Sequence, residues 1–228
     1  MSHPWVHYLP VLTTAIAATF FVVMLRAALI RRTGPHLAWW AFGVFAYGLG
    51  TLVEASITLA GNSVALTKAW YIAGALLGGY PLAQGAVYLH LRRRTANATA
   101  YATLAFVAFA ACMVVLSPVD IAHLDPQRPQ GALLAWHWVR WLTPFINLYA
   151  FVFLVGGAAL SAVRFRKGPR VLGNILIAIG ALLPGIGGGL AKTGFVEALY
   201  VLELAGLILI WIGYGVMVRA RPAQDARP

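Results

Sequence analysis

Charged residues are scarce in this chain of 228 residues: Asp, Glu, Lys and Arg make up 10% of it, whereas hydrophobic residues make up 61%. A soluble domain carries about 25% charged residues. The shortage of charge therefore excludes a water-soluble enzyme, a disordered tail and a fibrous repeat. The composition is that of a polytopic membrane protein.

The chain is also poor in acidic residues and in cysteine. Six acidic residues stand against 17 basic ones, which gives a formal net charge of +11. The single cysteine, Cys112, lies inside an apolar run and can form no intramolecular disulfide. We interpret it as a small residue of the core.

The basic residues are concentrated at the ends of long apolar runs. Thirteen of the 17 fall in four clusters, namely Arg26, Arg31 and Arg32; Arg92, Arg93 and Arg94; Arg164, Arg166, Lys167 and Arg170; and Arg219, Arg221 and Arg227. An excess of Lys and Arg marks cytoplasmic loops, and the anionic lipids of the inner leaflet are a sufficient partner for them. Nucleic acid is not an expected partner, because a basic patch without a recognition element is non-specific.

Seven apolar runs are long enough to cross a bilayer as helices, which takes about 20 residues each. They are predicted at residues 8–30, 37–60, 69–91, 98–116, 134–163, 171–190 and 196–218. All four basic clusters lie on one side only if the N-terminus is outside and the C-terminus is cytoplasmic. We therefore predict an all-α bundle of seven transmembrane helices, residues 1–228 forming one membrane domain of the bacterial inner membrane.

Three ionisable residues are predicted at similar depths inside the spans. Glu54, Arg140 and Glu203 each lie about 10 Å beneath the outer surface, at 1.5 Å per helical residue. A charge in hydrocarbon costs at least a few kcal/mol, so we expect all three to face the bundle interior. The alternative is that Arg140 pairs with a glutamate only to hold helices together.

Aromatic and polar side chains at helical spacing accompany these three residues. Together they predict an aromatic-walled pocket for a small molecule in the outer half of the membrane. The predicted ligand-binding residues are Glu54, Arg140, Glu203, Tyr200, Asn147, Trp70, Tyr80, Trp141 and Gln84.

The sequence contains no complete catalytic or cofactor motif. Span seven has no lysine that could hold retinal as a Schiff base, and neither a GxSxG motif nor a P-loop is present. His3 and His7, with Asp120, His123 or His137, are an alternative outer zinc or copper site, but histidines at the membrane interface are the favoured interpretation. The other two histidines lie too near the inner surface to ligate haem. We therefore predict no catalytic residue and no metal ligand, leave cofactors open, and favour a protein that is not an enzyme.

Glycine and proline recur in the third and sixth predicted spans. Each span carries a proline, Pro81 or Pro184, and a GxxxG spacing, at Gly74 and Gly78 or at Gly185 and Gly189. Paired interrupted spans can mark a transport site. Close helix packing through small residues is the favoured interpretation.

One loop is long. Residues 117–131 include three prolines and several charged side chains. The loop is either an ordered lid or a solvated connector, and the connector is the favoured interpretation.

The stretches WWAFGVFAYGLGTLVEAS (residues 39–56) and KAWYIAGALLGGYP (residues 68–81) carry a family likeness. They resemble the seven-helix membrane sensor region of some bacterial histidine kinases, at positions Glu54, Trp70, Tyr71 and Pro81. No kinase domain follows Val218. The resemblance implies a stand-alone sensor whose output passes through a membrane signalling partner.

The sequence thus predicts a receptor-like membrane protein that binds a small amphipathic or aromatic ligand and contacts membrane lipids. A proton-coupled transporter of small solutes is the alternative, with Glu54 or Glu203 carrying the proton. An intramembrane metal or haem enzyme is the less favoured third class.

Overall fold

The computed structural model of the protein describes residues 4–31, 34–165 and 169–219. Within these ranges, seven helices are long and apolar enough to cross a membrane. They are Trp5–Arg31, Pro35–Ala60, Val64–His90, Arg93–Leu116, His137–Ser161, Val171–Ala191 and Val196–Arg219. The predicted all-α architecture with seven spans is confirmed, and the chain is a polytopic membrane protein. Its orientation and its place in a bacterial inner membrane stay predictions.

In the part of the chain that the structure describes, the spans contain ten α-helices. In chain order they are α1 (Leu9–Arg31), α2 (Pro35–Ala60), α3 (Val64–Trp70), α4 (Tyr80–His90), α5 (Arg93–Leu116), α6 (His137–Arg140), α7 (Leu142–Ala150), α8 (Gly156–Phe165), α9 (Pro169–Lys192) and α10 (Val196–Arg219). Two π-helical segments, Tyr71–Leu76 and Phe151–Val155, lie within the third and fifth spans.

The chain divides into two compact units, Met1–Phe153 and Leu154–Pro228. The boundary falls inside the second π-helical segment, so the fifth span contributes to both units. The single domain over residues 1–228 stays a prediction.

In the first unit, α1 packs along α2, and α2 packs against both the first π-helical segment and α4. A Cβ atom added to Gly50 would lie 3.1 Å from the Cα atom of Gly74, so the backbones of the second and third spans touch there. This contact confirms that Gly74 serves close packing. Cys112 is exposed on α5, and its interpretation as a core residue is therefore wrong.

The third span is interrupted where its sequence predicts. The segment Tyr71–Leu76 is followed by a turn, and α4 then begins with Pro81 in its first turn. Proline fits this position because the amide groups of a helix's first turn have no partner within the helix. The predicted start of the span at residue 69 is too late: α3 begins at Val64, and the Ser63 hydroxyl caps it by accepting a hydrogen bond from the backbone N–H of Leu66.

In the second unit, α9 and α10 pack through glycines seven residues apart. A Cβ on Gly180 would lie 2.6 Å from the carbonyl oxygen of Gly206, and one on Gly173 would lie 2.9 Å from that of Gly213. The sixth span is one continuous helix through Pro184, unlike the third.

Gly185 and Gly189 do not serve the packing of α9 on α10, since a Cβ on either would meet no atom of α10 within 4 Å. Their role in packing against another helix stays a prediction. The GxxxG spacing places both residues on one helix face, but α10 packs on the face that carries Gly173 and Gly180.

Candidate functional site

The structure joins two of the predicted site residues directly. The carboxyl group of Glu54 on α2 is buried, with 3% of the residue exposed, and its Oε1 accepts a hydrogen bond of 2.7 Å from Nε1 of Trp70. Trp70 is the last residue of α3, directly before the first π-helical segment. A buried carboxyl needs hydrogen-bond donors, and the indole N–H supplies one.

Tyr71 extends this contact to two other parts of the first unit. Its hydroxyl group shares a hydrogen bond of 2.7 Å with the hydroxyl of Thr143 in the fifth span. Its ring lies against the loop after the fourth span, where a Cβ on Gly131 would come within 2.8 Å of Cε2. Trp70 and Tyr71 therefore contact the second span, the fifth span and the loop from adjacent positions.

Sequence reasoning noticed Tyr71 only through the family likeness and missed Thr143. The hydroxyl of Thr143 gives no periodic signal in the sequence. Its role depends on a contact with Tyr71, which lies 72 positions earlier in the chain.

The loop of residues 117–136, here called the long loop, is held against the third span. Nζ of Lys68 donates to the carbonyl oxygens of Val115 and Ser117, each at 2.8 Å. Nδ2 of Asn62 donates to the carbonyl oxygens of Asp125 and Arg128, at 2.7 and 3.0 Å. The loop is therefore ordered, although residues 120–123 are exposed, and the choice between connector and lid stays a prediction.

Two further observations explain the order of the long loop. Leu133 and Leu134 are buried, with at most 1% of each residue exposed. A backbone bridge pairs Val119 with Leu134, so the loop closes on itself before α6 begins. Sequence reasoning missed Asn62 and Lys68 as anchors because both bond backbone carbonyls far along the chain.

Asp125 organises the tip of the long loop. Its carboxylate accepts hydrogen bonds from the backbone N–H of Gln127, from Nε of Arg128 at 2.7 Å and from Nε2 of Gln130 at 3.0 Å. Burial of the carboxyl raises its pKa, but these donors and the charge of Arg128 outweigh that effect. The pKa of Asp125 therefore lies below its ordinary value.

Gln84 lies in a second polar cluster, nearer the basic ends of the spans. It is fully buried on α4, where Nε2 donates to the carbonyl oxygen of Ala96 at 3.0 Å and Oε1 accepts from the hydroxyl of Tyr149 at 2.6 Å. Tyr80, also buried, accepts a hydrogen bond from the hydroxyl of Thr103. These bonds join the third, fourth and fifth spans and occupy the polar groups of Gln84 within the protein.

The remaining predicted site residues lie elsewhere. Arg140 is exposed on α6, Trp141 is exposed between α6 and α7, and Asn147 is exposed on α7. Arg140 is near enough to interact electrostatically with the hydroxyl of Tyr71. Tyr200, which is buried, and Glu203, which is half-buried, belong to the second unit, and their convergence with Glu54 stays a prediction.

Two open grooves run along the spans. One, of about 330 Å³, lies between α1 and α2, and the other, of about 310 Å³, lies along α10 near Arg219. Neither is lined by a residue that the sequence predicts for ligand binding. Among residues 4–31, 34–165 and 169–219, no group of three or more His, Cys, Asp or Glu side chains is close enough to hold a metal ion.

The fold and the buried polar contacts define a class, the helical polytopic membrane proteins with seven spans. No protein-family model matches the chain, and comparisons with curated proteins and with solved structures found no match. The likeness to histidine-kinase sensor regions stays an expectation drawn from the sequence.

Proposed function

We propose that this membrane protein is a sensor of the receptor type, which binds a small amphipathic or aromatic ligand beside Glu54 and Trp70. The observation that carries the proposal is the hydrogen bond between these two side chains inside the spans. A carboxyl group at such depth is costly, and ionisable residues within spans commonly belong to functional sites. The carboxylate offers an acceptor to a ligand's donor group or cation, and the indole offers a face for stacking.

The element that follows Trp70 supports a role in signalling. π-Helical segments within α-helices occur frequently at functional sites. A ligand that displaces the Trp70 indole from Glu54 would act on the first residue of the segment Tyr71–Leu76. Rewinding that segment as α-helix would turn α4 relative to α3.

The path from this site to the basic ends of the spans runs through α4. Gln84 on α4 is hydrogen-bonded to the fourth span through Ala96 and to the fifth span through Tyr149. A rotation of α4 would therefore strain contacts with both neighbours. Output would pass to another membrane protein that contacts these ends.

A proton-coupled transporter is the second candidate, and the burial of the Glu54 carboxyl favours it. Transport by paired interrupted spans is less well supported, because α9 continues through Pro184 whereas the third span is interrupted. Glu203 on α10 is the other carboxyl proposed to carry a proton in this alternative.

The test is a thermal-shift screen of the purified protein against small amphipathic and aromatic compounds, followed by a flux assay in proteoliposomes. A ligand that binds only the folded state raises its apparent stability with concentration. We expect stabilisation of the wild type that is lost in Glu54→Gln and Trp70→Phe and retained in the matched control Trp138→Phe, an exposed tryptophan.

Two outcomes would contradict the sensor. Solute-dependent proton flux that Glu54→Gln or Glu203→Gln abolishes would indicate the transporter. Ligand stabilisation that survives in both Glu54→Gln and Trp70→Phe would place the ligand elsewhere.

A further inference from the structure

The groove between α1 and α2 is entirely apolar and lies next to the first basic cluster. Its lining consists of Phe21, Leu25, Ala28 and Leu29 on α1 and Ala38, Ala41, Phe42 and Phe45 on α2. The small side chains of the three alanines leave the groove open, and the larger side chains form its walls. Ala41 lies at the bottom with 3% of the residue exposed, whereas Leu29 is 65% exposed at the rim.

The dimensions of the groove favour a slender occupant. An α-helix with its side chains is at least about 10 Å across, so a single turn of 5.4 Å fills roughly 400 Å³. The groove measures about 330 Å³ and is open along one side. A hydrocarbon chain fits such a space without distorting the helices, and the Phe21 and Phe45 rings, 5.2 Å apart between centroids, close one end of it.

Charge at the other end favours an anionic headgroup. Arg26 and Arg31 are both exposed on the last two turns of α1, and each lies three residues along the helix from a groove residue, Arg26 from Leu29 and Arg31 from Ala28. Neither arginine has a carboxylate within ion-pairing distance among the described residues. Guanidinium groups bind phosphate oxygens through paired hydrogen bonds.

We propose that the groove between α1 and α2 is a specific site for an anionic phospholipid. One acyl chain occupies the apolar groove, and Arg26 and Arg31 bind the phosphate-containing headgroup. The site is separate from the Glu54–Trp70 pair, and the lipid acts there as a bound component of the α1–α2 hairpin.

The experiment measures retention of phosphatidylglycerol and of phosphatidylcholine by native mass spectrometry of the full-length protein released from mixed-lipid nanodiscs. We expect preferential retention of phosphatidylglycerol by the wild type. The double variant Arg26→Gln/Arg31→Gln should bind it roughly thirtyfold more weakly, because about 1 kcal/mol is lost for each of the two basic residues near an anionic lipid surface.

Matched controls separate this site from general lipid contacts. Arg92→Gln/Arg94→Gln removes the same charge from exposed positions elsewhere and should leave retention unchanged. Ala38→Phe fills the groove from an exposed position and should reduce retention of both lipids, whereas Ala105→Phe, at an exposed alanine of α5, should not. Measuring the melting temperature of each variant in detergent confirms that it is folded.

Three results would overturn the proposal. Equal retention of the two lipids would show a non-specific lipid shell. Equal losses of lipid retention in the test and control variants would show that net charge or exposed apolar surface determines binding, and that the groove does not. A change from dimer to monomer in Ala38→Phe, measured by the mass of the protein, would show that a second copy of the chain occupies the groove.

Discussion

The hydrogen bond from Trp70 to Glu54 joins the second and third spans inside the apolar part of the protein. Hydrogen bonds to charged groups contribute about 1.5–3 kcal/mol, and a buried acceptor that loses its donor bears the full cost of desolvation. The bond therefore both stabilises the hairpin of these spans and fixes the indole beside the carboxyl group of Glu54.

Replacing Trp70 with Phe should lower the free energy of unfolding by about 1–3 kcal/mol, because an aromatic ring, although a smaller one, is kept and the N–H donor is lost. Denaturant unfolding in detergent measures the effect, with Trp138→Phe as the control at an exposed tryptophan. A double-mutant cycle with Glu54→Gln should give a coupling energy above about 0.5 kcal/mol. Equal stability of Trp70→Phe and Trp138→Phe would contradict this role of the bond.

The long loop should loosen in acid through Asp125. The pKa of Asp125 is lowered in the folded protein, so its carboxylate stabilises the loop above the unfolded-state pKa of about 3.9. That contribution is lost as pH falls through the folded-state pKa. We expect limited proteolysis of residues 117–136, by a protease active in acid, to accelerate below about pH 4.

In Asp125→Asn the proteolysis rate should already be higher than that of the wild type at pH 5 and should change little between pH 5 and pH 3. Asp120→Asn is the matched control, since Asp120 is exposed and its carboxylate bonds the nearby backbone N–H of Ala122 and the ring of His123. A wild-type rate that is flat across this range would refute the assignment to Asp125.

The close packing of helices α9 and α10 requires glycines at their contact. Leucine at Gly180 would have to displace the backbone of α10 at Gly206, since even a Cβ comes within 2.6 Å of its carbonyl oxygen. Overpacking of this kind typically costs 1–3 kcal/mol or more. Leucine at Gly185, where a Cβ meets nothing within 4 Å, is the matched control on the same helix.

Gly180→Leu should therefore melt at a clearly lower temperature than Gly185→Leu in detergent. The same order should appear in the yield of folded protein extracted from membranes. Similar melting temperatures for the two variants would mean that the α9–α10 contact is looser than the structure shows.

The spans were predictable from sequence because length and apolar composition alone decide which segments can cross a bilayer. The π-helical segment after Trp70 was not predictable, since its surroundings, the packing against α2 and the hydrogen bond between Tyr71 and Thr143, involve residues far apart in the sequence. The contact face of α9 was missed for a related reason: GxxxG spacing marks a face but does not say which neighbour covers it.

The candidate site was predictable only in part. The burial of Glu54 was predictable from the cost of charge in hydrocarbon. Trp70 was predictable as a site residue from its place at the start of a span. Their mutual bond and the anchoring of the long loop by Asn62 and Lys68 required distances between residues far apart in sequence.

For the whole molecule, the distribution of Lys and Arg predicts that the long loop is outside and the loop between α4 and α5 is cytoplasmic. In a Cys112→Ala background, cysteine at the exposed position Ala122 should react with a membrane-impermeant maleimide in intact cells. Cysteine at the exposed position Thr95 should react only after the membrane is permeabilised. The reverse pattern would invert the topology and place the Glu54–Trp70 pair in the cytoplasmic half.

The proposed binding of a small ligand beside Glu54 and Trp70 can be tested by hydrogen–deuterium exchange with a compound that stabilises the protein. We predict that the compound slows exchange in residues 64–76 and in the long loop of the wild type, and that Glu54→Gln abolishes this protection. Protection confined to α9 and α10, or unchanged in Glu54→Gln, would contradict the account.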